Sequence, residues 1–164
     1  LSSAEHRPSS SPAVTIEQVP FDHPDAVLLR DEQVAFGNQL YADDPAAVHR
    51  GGSEGLDPSS VIATAVAYRD DVPVGHACLR RLDGELEIKR MYVVPSRRGE
   101  GIADALLAAM EDAARDDGAR RVIIHTGDRQ HAALKFYDRH GYTPIPVYPP
   151  YEAVTYSLCF EKTL

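Results

Sequence analysis

Met91-Tyr92-Val93-Val94-Pro95-Ser96-Arg97-Arg98-Gly99-Glu100-Gly101-Ile102-Ala103-Asp104-Ala105-Leu106-Leu107 is the stretch that decides the reading of this chain. A strand pattern stops at Pro95, a basic glycine-bearing turn follows, and an amphipathic helix begins near Ile102. A helix N-terminus leaves several backbone N–H groups without partners and carries the positive end of the helix dipole. Gly99 and Gly101 let a ligand approach that backbone closely, and Arg97 and Arg98 add charge at the rim. Together these parts predict a site for a phosphorylated ligand. The spacing excludes two common phosphate sites. A P-loop needs Lys-Ser or Lys-Thr after its second glycine, and the dinucleotide fingerprint needs a third glycine where Asp104 stands. A strand–turn–helix whose glycines serve only the turn is the plainer alternative.

Working outward, the same residues anchor a mixed α/β pattern. Upstream, Val61 to Tyr68, Val74 to Leu82 and Glu85 to Val93 read as three strands. Asp83-Gly84 is a hairpin signal, and Arg69 to Pro73 turns the chain, so the three form an antiparallel meander. Downstream, Ile102, Ala105, Leu106, Ala109, Met110 and Ala113 make one apolar helical stripe, closed by Gly118. Arg121 to Thr126 is a buried-looking strand, and a crossover of this length sets it parallel to its predecessor. A short helix over Gln130 to His140 and closing strands over Tyr142 to Val147 and Val154 to Phe160 follow. Ala13 to Val19 reads as a first strand and His23 to Tyr41 as a first helix capped by Asp22. Ala42 to Ser60 reads as a loop with a short helical turn. The expectation is one α/β domain over residues 13–164, with about seven strands in a mostly antiparallel mixed sheet and about four helices. Residues 1–12 are Ser/Pro-rich and predicted to be disordered.

Composition bounds the function. At 164 residues and 43% hydrophobic, the chain holds one sizeable core. Seventeen Lys and Arg against 25 Asp and Glu give a net charge of −8, which argues against nucleic-acid or anionic-membrane partners and mildly favours cationic ones. No apolar run approaches a membrane span, and no signal-peptide pattern is present. Cys78 and Cys159 lie in apolar runs and read as buried thiols of a cytoplasmic protein. The histidines show no metal-ligand spacing, so no metal is expected.

Arg98-x-x-Gly101-x-Ala103 resembles the acetyl-CoA signature of the GNAT superfamily of N-acetyltransferases, Arg/Gln-x-x-Gly-x-Gly/Ala. The resemblance implies that the backbone of Arg98, Gly99, Glu100, Gly101, Ile102, Ala103 and Asp104 holds the pyrophosphate of coenzyme A. It also implies that the strand end at Met91, Tyr92 and Val93 splays from its neighbour and pairs with the pantetheine arm and thioester. Gln130-x-x-Ala133-x-x-x-Tyr137-x-x-x-Gly141-Tyr142 resembles the family's second signature, with Gln130 standing where the family has Asn. Gln130 and Ala133 would lie along the cofactor. Tyr137 would protonate the departing thiolate, although the residues alone read equally as a packing tyrosine. The ending Tyr156-Ser157-Leu158-Cys159-Phe160-Glu161-Lys162 is similar to a bacterial branch of the family.

By the same resemblance, Glu87 on the third strand is the candidate base; on the residues alone it is a solvated strand-face carboxylate. Alternation puts Glu85, Glu87 and Lys89 on one face and Leu86, Ile88 and Arg90 on the other. Asp104 beside the phosphate loop would be offset by Arg97, Arg98 and Arg129. Tyr148 and Tyr151 are candidate walls of an acceptor pocket, with Glu152, Asp43 and Asp44 placed to attract an ammonium. The implied activity is transfer of an acetyl group from acetyl-CoA to a primary amine of a small molecule or peptide. An acyl-CoA sensor without transfer activity is the alternative. A homodimer through the sheet's C-terminal edge is a further expectation.

Overall fold

The computed structural model describes residues 13–44 and 56–164; the expected disorder of 1–12 and most of the Ala42–Ser60 loop lie outside them. Seven strands form one sheet: β1 (Thr15–Gln18), β2 (Val61–Arg69), β3 (Val72–Leu82), β4 (Glu85–Val93), β5 (Arg121–Gly127), β6 (Thr143–Ile145) and β7 (Ser157–Thr163). Three α-helices accompany them among the described residues: α1 (Pro24–Leu40), α2 (Ile102–Asp116) and α3 (His131–Arg139). Among the described residues two single 3-10 turns add to these, at Pro58–Ser60, within the loop expected to hold a short helical turn, and at Pro95–Arg97. No described helix is long and apolar enough to cross a membrane.

The strand order is β1-β2-β3-β4-β5-β7-β6, with β4 and β5 as the parallel pair that the α2 crossover requires. The meander closes through two tight turns with left-handed residues at both central positions, Asp70-Asp71 (φ 52° and 61°) and Asp83-Gly84 (φ 50° and 82°). Such turns match the right-handed twist of paired strands. The closing strands start and stop away from their predicted bounds. Pro144 and Pro146 withhold ladder donors, so β6 is three residues long, and the chain turns through Tyr151 and Val154 before β7 begins at Ser157. A homodimer through this edge has only that short, proline-bearing strand to pair with.

The two faces of the sheet carry different cores. Ala65, Leu79, Leu86, Ile88, Val122 and Ile124 pack under α2, where Leu106, Leu107 and Met110 are buried, and Tyr137 of α3 joins this cluster. Gly75 admits α2 closely: a Cβ there would lie 2.9 Å from Leu106 Cδ1. On the other face Ala26 and Leu29 of α1 pack on Val66 and Tyr92. Pro24 sets the first turn of α1, so His23 rather than Asp22 caps it, Nδ1 accepting from the Asp25 amide at 3.1 Å. Tyr68 donates to Asp25 Oδ2 at 2.6 Å and ties that end to β2. Both cysteines are free and buried.

Candidate functional site

The site grows from a fork in the sheet. β4 runs to Val93 and β5 to Gly127, yet they pair only at Glu87↔Ile123 and Ile88↔Ile124. Beyond that point β4 changes shape. Two β3 steps, His76 to Cys78, face three on β4, Lys89 to Tyr92, with Arg90 left-handed at φ 56°. This is a β-bulge, and it resets the alternation of faces. Tyr92 lies with α1 and Val93 with α2, and the charge of Arg90 acts on Arg30, His76 and Lys89. Arg90 therefore sits on the Glu87 face, not on the Ile88 face that strict alternation predicts.

Side chains from three elements hold the bulged segment. Cys78 Sγ donates to Lys89 O (3.4 Å), His76 Nδ1 to Arg90 O (2.9 Å) and Gln33 Nε2 to Met91 O (3.1 Å). Arg98 Nε donates to Val93 O at 3.3 Å. The carbonyls of Met91 and Val93 are thus engaged by the protein. Arg30 can only donate, so the Arg30–His76 contact at 3.0 Å makes His76 Nε2 the acceptor and places the ring proton on Nδ1. His76 is wholly buried, and burial holds its pKa down at about 4, so the ring is neutral.

The end of the β4 arm carries the phosphate loop. Gly99 and Gly101 are left-handed (φ 82° and 79°), and a Cβ at either would meet nothing within 4 Å. Glycine is required there for the backbone turn, and the space beside it is open. Gly101 is the N-cap of α2, and no side chain caps that terminus. No side chain takes up the first-turn amides, and the positive end of the helix dipole there suits an anion. The side chains divide differently from their backbone. Ile102 is a core residue, Ala103 packs against the core, and Glu100 pairs with Arg69 (3.4 Å) and Arg97 (3.8 Å). Arg98 lies over the Phe36 ring at 4.8 Å. Asp104 pairs with Arg139 (3.1 Å) and lies in hydrogen-bond contact with His140 Nε2 (2.7 Å) at the α3 end. The arginines expected for that task do other work, Arg129 pairing with Asp43.

The β5 arm carries the second signature. Gln130 caps α3 by position without a side-chain capping bond, and its amide donates to Gly127 O at 3.1 Å. Ala133 packs against the core one turn before Tyr137. Tyr137 is 5% exposed among Phe136, Tyr142 and Phe160. Burial is the one influence on its phenol and pushes the pKa up. Such a phenol holds its proton until a stronger base is brought to it.

On the opposite face Glu87 is wholly buried, not solvated. Its Oε1 accepts from Arg80 Nε (2.7 Å) and Tyr151 (3.2 Å), and its Oε2 accepts from Tyr148 (2.6 Å). Both oxygens are engaged, which corrects the picture of a carboxylate open to the acceptor. The hydroxyls of Tyr148 and Tyr151 correspondingly turn inward onto Glu87 rather than outward into a pocket. Tyr151 also accepts from Arg80 (3.0 Å) and from Lys89 Nζ (2.6 Å). Its ring stacks on His125, with centroids 3.7 Å apart. The Ser157 hydroxyl donates to Tyr151 O (3.4 Å), so it accepts from His125 Nε2 (2.8 Å). Burial, with the charges of Lys89 and Arg80, lowers the His125 pKa to about 3.

Lys89, Arg80, His125 and Ser157 were legible only as strand residues, although the spacing of Lys89 from Glu87 puts it on the same face. Arg30 gives no sequence signal, because a helix arginine reads as solvated. Tyr41 is a further unforeseen element. Its hydroxyl accepts from the Arg129 amide (3.0 Å) and its ring stacks on Tyr156 (4.4 Å), so the end of α1 bridges to the β5 arm.

Comparison with known proteins places this geometry. Residues 27–142 match the model of the Acetyltransferase (GNAT) family. An N-acetyltransferase of Bacillus subtilis without characterised activity, YjcF, is 36% identical over 77 residues, 47% of this chain and 53% of that protein. The chain spans about half the length of such curated relatives. Among solved structures, an acyl-CoA N-acyltransferase assigned in Klebsiella pneumoniae superposes with a TM-score of 0.76 at 27% identity, covering 92% of this chain and 97% of that one. A GNAT family acetyltransferase from Elizabethkingia anophelis with acetyl-CoA bound shares the fold at TM-score 0.67 and 18% identity, covering 92% and 98%. With most of its length matched to the family's model, this chain belongs to the GNAT acetyltransferase family.

Proposed function

We propose that the chain is an acetyl-CoA-dependent N-acetyltransferase acting on a primary amine of a small molecule or peptide. The carrying observation is the fork itself. The uncapped α2 N-terminus and Tyr137 lie toward one face of the sheet, and the Glu87–Tyr151–Lys89 network lies on the other. Acyl transfer is served by that division, since the amine must add to an open face of the thioester carbonyl while the thioester is held by groups elsewhere.

Gly99, Gly101 and the first α2 amides hold the pyrophosphate, while Met91, Tyr92 and Val93 line the arm along which the pantetheine lies. Gln130 and Ala133 flank it from the β5 arm. Acetyl-CoA supplies an acetyl thioester that an amine can attack. The protein contributes orientation first, which accounts for most of such a rate enhancement. As the C–N bond forms and the C–S bond breaks, Tyr137 gives its phenolic proton to the thiolate sulfur, and its phenolate takes up the proton that the amine nitrogen loses; burial keeps the phenol protonated between turnovers. Glu87 acts as a positioning residue: it fixes Tyr148, Tyr151 and Arg80, and through Tyr151 it sets the place of Lys89.

Calorimetric titration with acetyl-CoA, with ATP and NAD as controls, tests the cofactor assignment. Selective micromolar binding, followed by amine-dependent release of free thiol, is the expected result. Failure to bind acetyl-CoA removes the proposal, and binding without thiol release from any amine favours a sensor.

A further inference from the structure

Lys89 is the first residue of β4 beyond its last pair with β5, so it stands at the vertex of the fork. It lies on the face from which an amine approaches. Among the described residues its one hydrogen bond is to the Tyr151 hydroxyl, and its Nζ stands 4.6 Å over the Tyr151 ring centre. An ammonium has three N–H donors, so two point elsewhere. Glu87, the nearest acid, has both oxygens taken by Arg80, Tyr148 and Tyr151. The surroundings are cationic. The charges of Arg80 and Arg90 bear on Lys89, and Arg90 bears in turn on the buried Arg30. Burial first, opposed by the charge of Glu87 and aided by Arg90 and Arg80, brings Lys89 down to about 8, which leaves it mostly charged at neutral pH.

The whole chain has a net charge of −8, yet at the fork Arg80 and Lys89 share one acid, Glu87. The acid whose charge acts on the half-buried Lys89 ammonium is Glu87, which is already hydrogen-bonded to Arg80, so a ligand that brings further negative charge lowers the cost of keeping both cations charged. Lys89 precedes Met91 by two residues across the bulge, at most about 7 Å of chain. An anion at Lys89 and an amine at the thioester thus belong to one small molecule.

We infer that Lys89 binds an anionic group of the acceptor, and that the acceptor class is a small primary amine bearing a carboxylate or a phosphonate. This rests on the acetyltransferase reading and narrows its substrate. It runs against the cationic acceptors that the overall charge favours.

The test is a panel of matched amines read by free-thiol release, with rates corrected for the fraction of neutral amine. Phenylalanine is set against phenethylamine, 2-aminoethylphosphonate against propylamine, and spermidine serves as the polycation. The expected result is a kcat/KM at least tenfold higher for one or both anionic members than for their uncharged partners, and spermidine among the poorest. Whichever anionic pair shows the preference identifies carboxylate or phosphonate. In Lys89→Met the preference should collapse through a rise in KM, and Lys89→Arg should restore most of it. An unchanged ratio in Lys89→Met overturns the proposal. An equal fall in kcat for every amine also overturns it, because Lys89 would then act on the chemistry. Preference for uncharged amines or spermidine in the wild type does the same. Titration of the wild type with acetyl-CoA separates the two levels. Binding without the anionic preference overturns the acceptor assignment alone, whereas no binding overturns the transferase reading and takes this assignment with it.

Discussion

The two faces of the sheet solve the same problem with opposite chemistry. Under α2 and α3 the core is apolar, and Tyr137 contributes a buried phenol on which burial alone acts. Under α1 and the Tyr148–Tyr156 loop a small apolar cluster is joined by a polar network in which nearly every group is answered: Glu87 by three donors, His76 by Arg30 and Arg90 O, and His125 by Ser157. The difference teaches where chemistry resides. A group whose hydrogen bonds are all made within the protein has nothing left for a ligand. Spare capacity is what singles out Tyr137 on one face and Lys89 on the other for the roles proposed above.

The sharpest way to break this contrast is to remove the centre of the polar face. Glu87→Ala leaves Arg80 buried without its partner, which should destabilise the fold by about 3–5 kcal/mol. Chemical denaturation measures it. A loss below about 1 kcal/mol, in the range of surface pairs, would show that Glu87 is solvated and the network loose.

Gly101→Val tests the other arm. A β-branched residue at φ 79° is strained by roughly 1–2 kcal/mol. Ligand binding should suffer more than stability, with acetyl-CoA affinity falling at least about 100-fold, or some 2.7 kcal/mol. Calorimetry at a temperature well below the melting point separates the two effects. Native affinity in this variant would move the phosphate site elsewhere.

Tyr137→Phe removes one oxygen from the apolar face and should lower kcat by about 100-fold, the smaller end of general acid catalysis. Acetyl-CoA binding should change far less, since the hydroxyl acts on the leaving group. Unchanged turnover would mean that water protonates the thiolate, and the contrast between faces would lose its catalytic meaning.

Acid sharpens the comparison on the polar side. His76 and His125 have ordinary pKa values of 6.5 when unfolded and about 4 and about 3 in the fold. The unfolded chain therefore binds protons that the folded chain does not, between pH 6.5 and the folded values. Their contribution is fully present above pH 6.5 and is lost as pH falls, by roughly 2 kcal/mol per histidine between pH 7 and 5. Denaturation at the two pH values checks it. A His76→Gln variant with the same pH slope as the wild type would show that this histidine is accessible to protons in the fold.

Much of the apolar face and of the phosphate arm was legible because it is written locally. Gly99, Gly101 and the stripe from Ile102 to Ala113 lie within one strand–turn–helix, and the Asp83-Gly84 turn is a dipeptide signal. The polar face was not legible, because its meaning depends on what covers it. Glu87 reads as solvated until the Tyr148–Tyr156 loop folds back from the other end of the chain. The bulge was hidden for a different reason. Its left-handed position is held by Arg90, where glycine would have announced it, and the support comes from Cys78, His76 and Gln33 on other elements.

The smallest expected effect concerns how the arms of the fork are held together. Tyr41 reaches from the end of α1 to the β5 arm, and it fits because residue 127 is glycine: a Cβ there would lie 2.0 Å from the Tyr41 hydroxyl. That hydroxyl is pinned by the Arg129 amide and its ring by Tyr156, so it cannot yield without giving up both. Gly127→Ala should destabilise by about 1–2 kcal/mol, in the range of mild overpacking. The informative measurement is the double-mutant cycle. If the cost of Gly127→Ala is the clash with Tyr41, most of it should vanish in a Tyr41→Ala background, where the Tyr156 ring at 3.3 Å is the neighbour that remains. Additive costs would place the strain in β5 itself, and the polar face would then be closed without help from the end of α1.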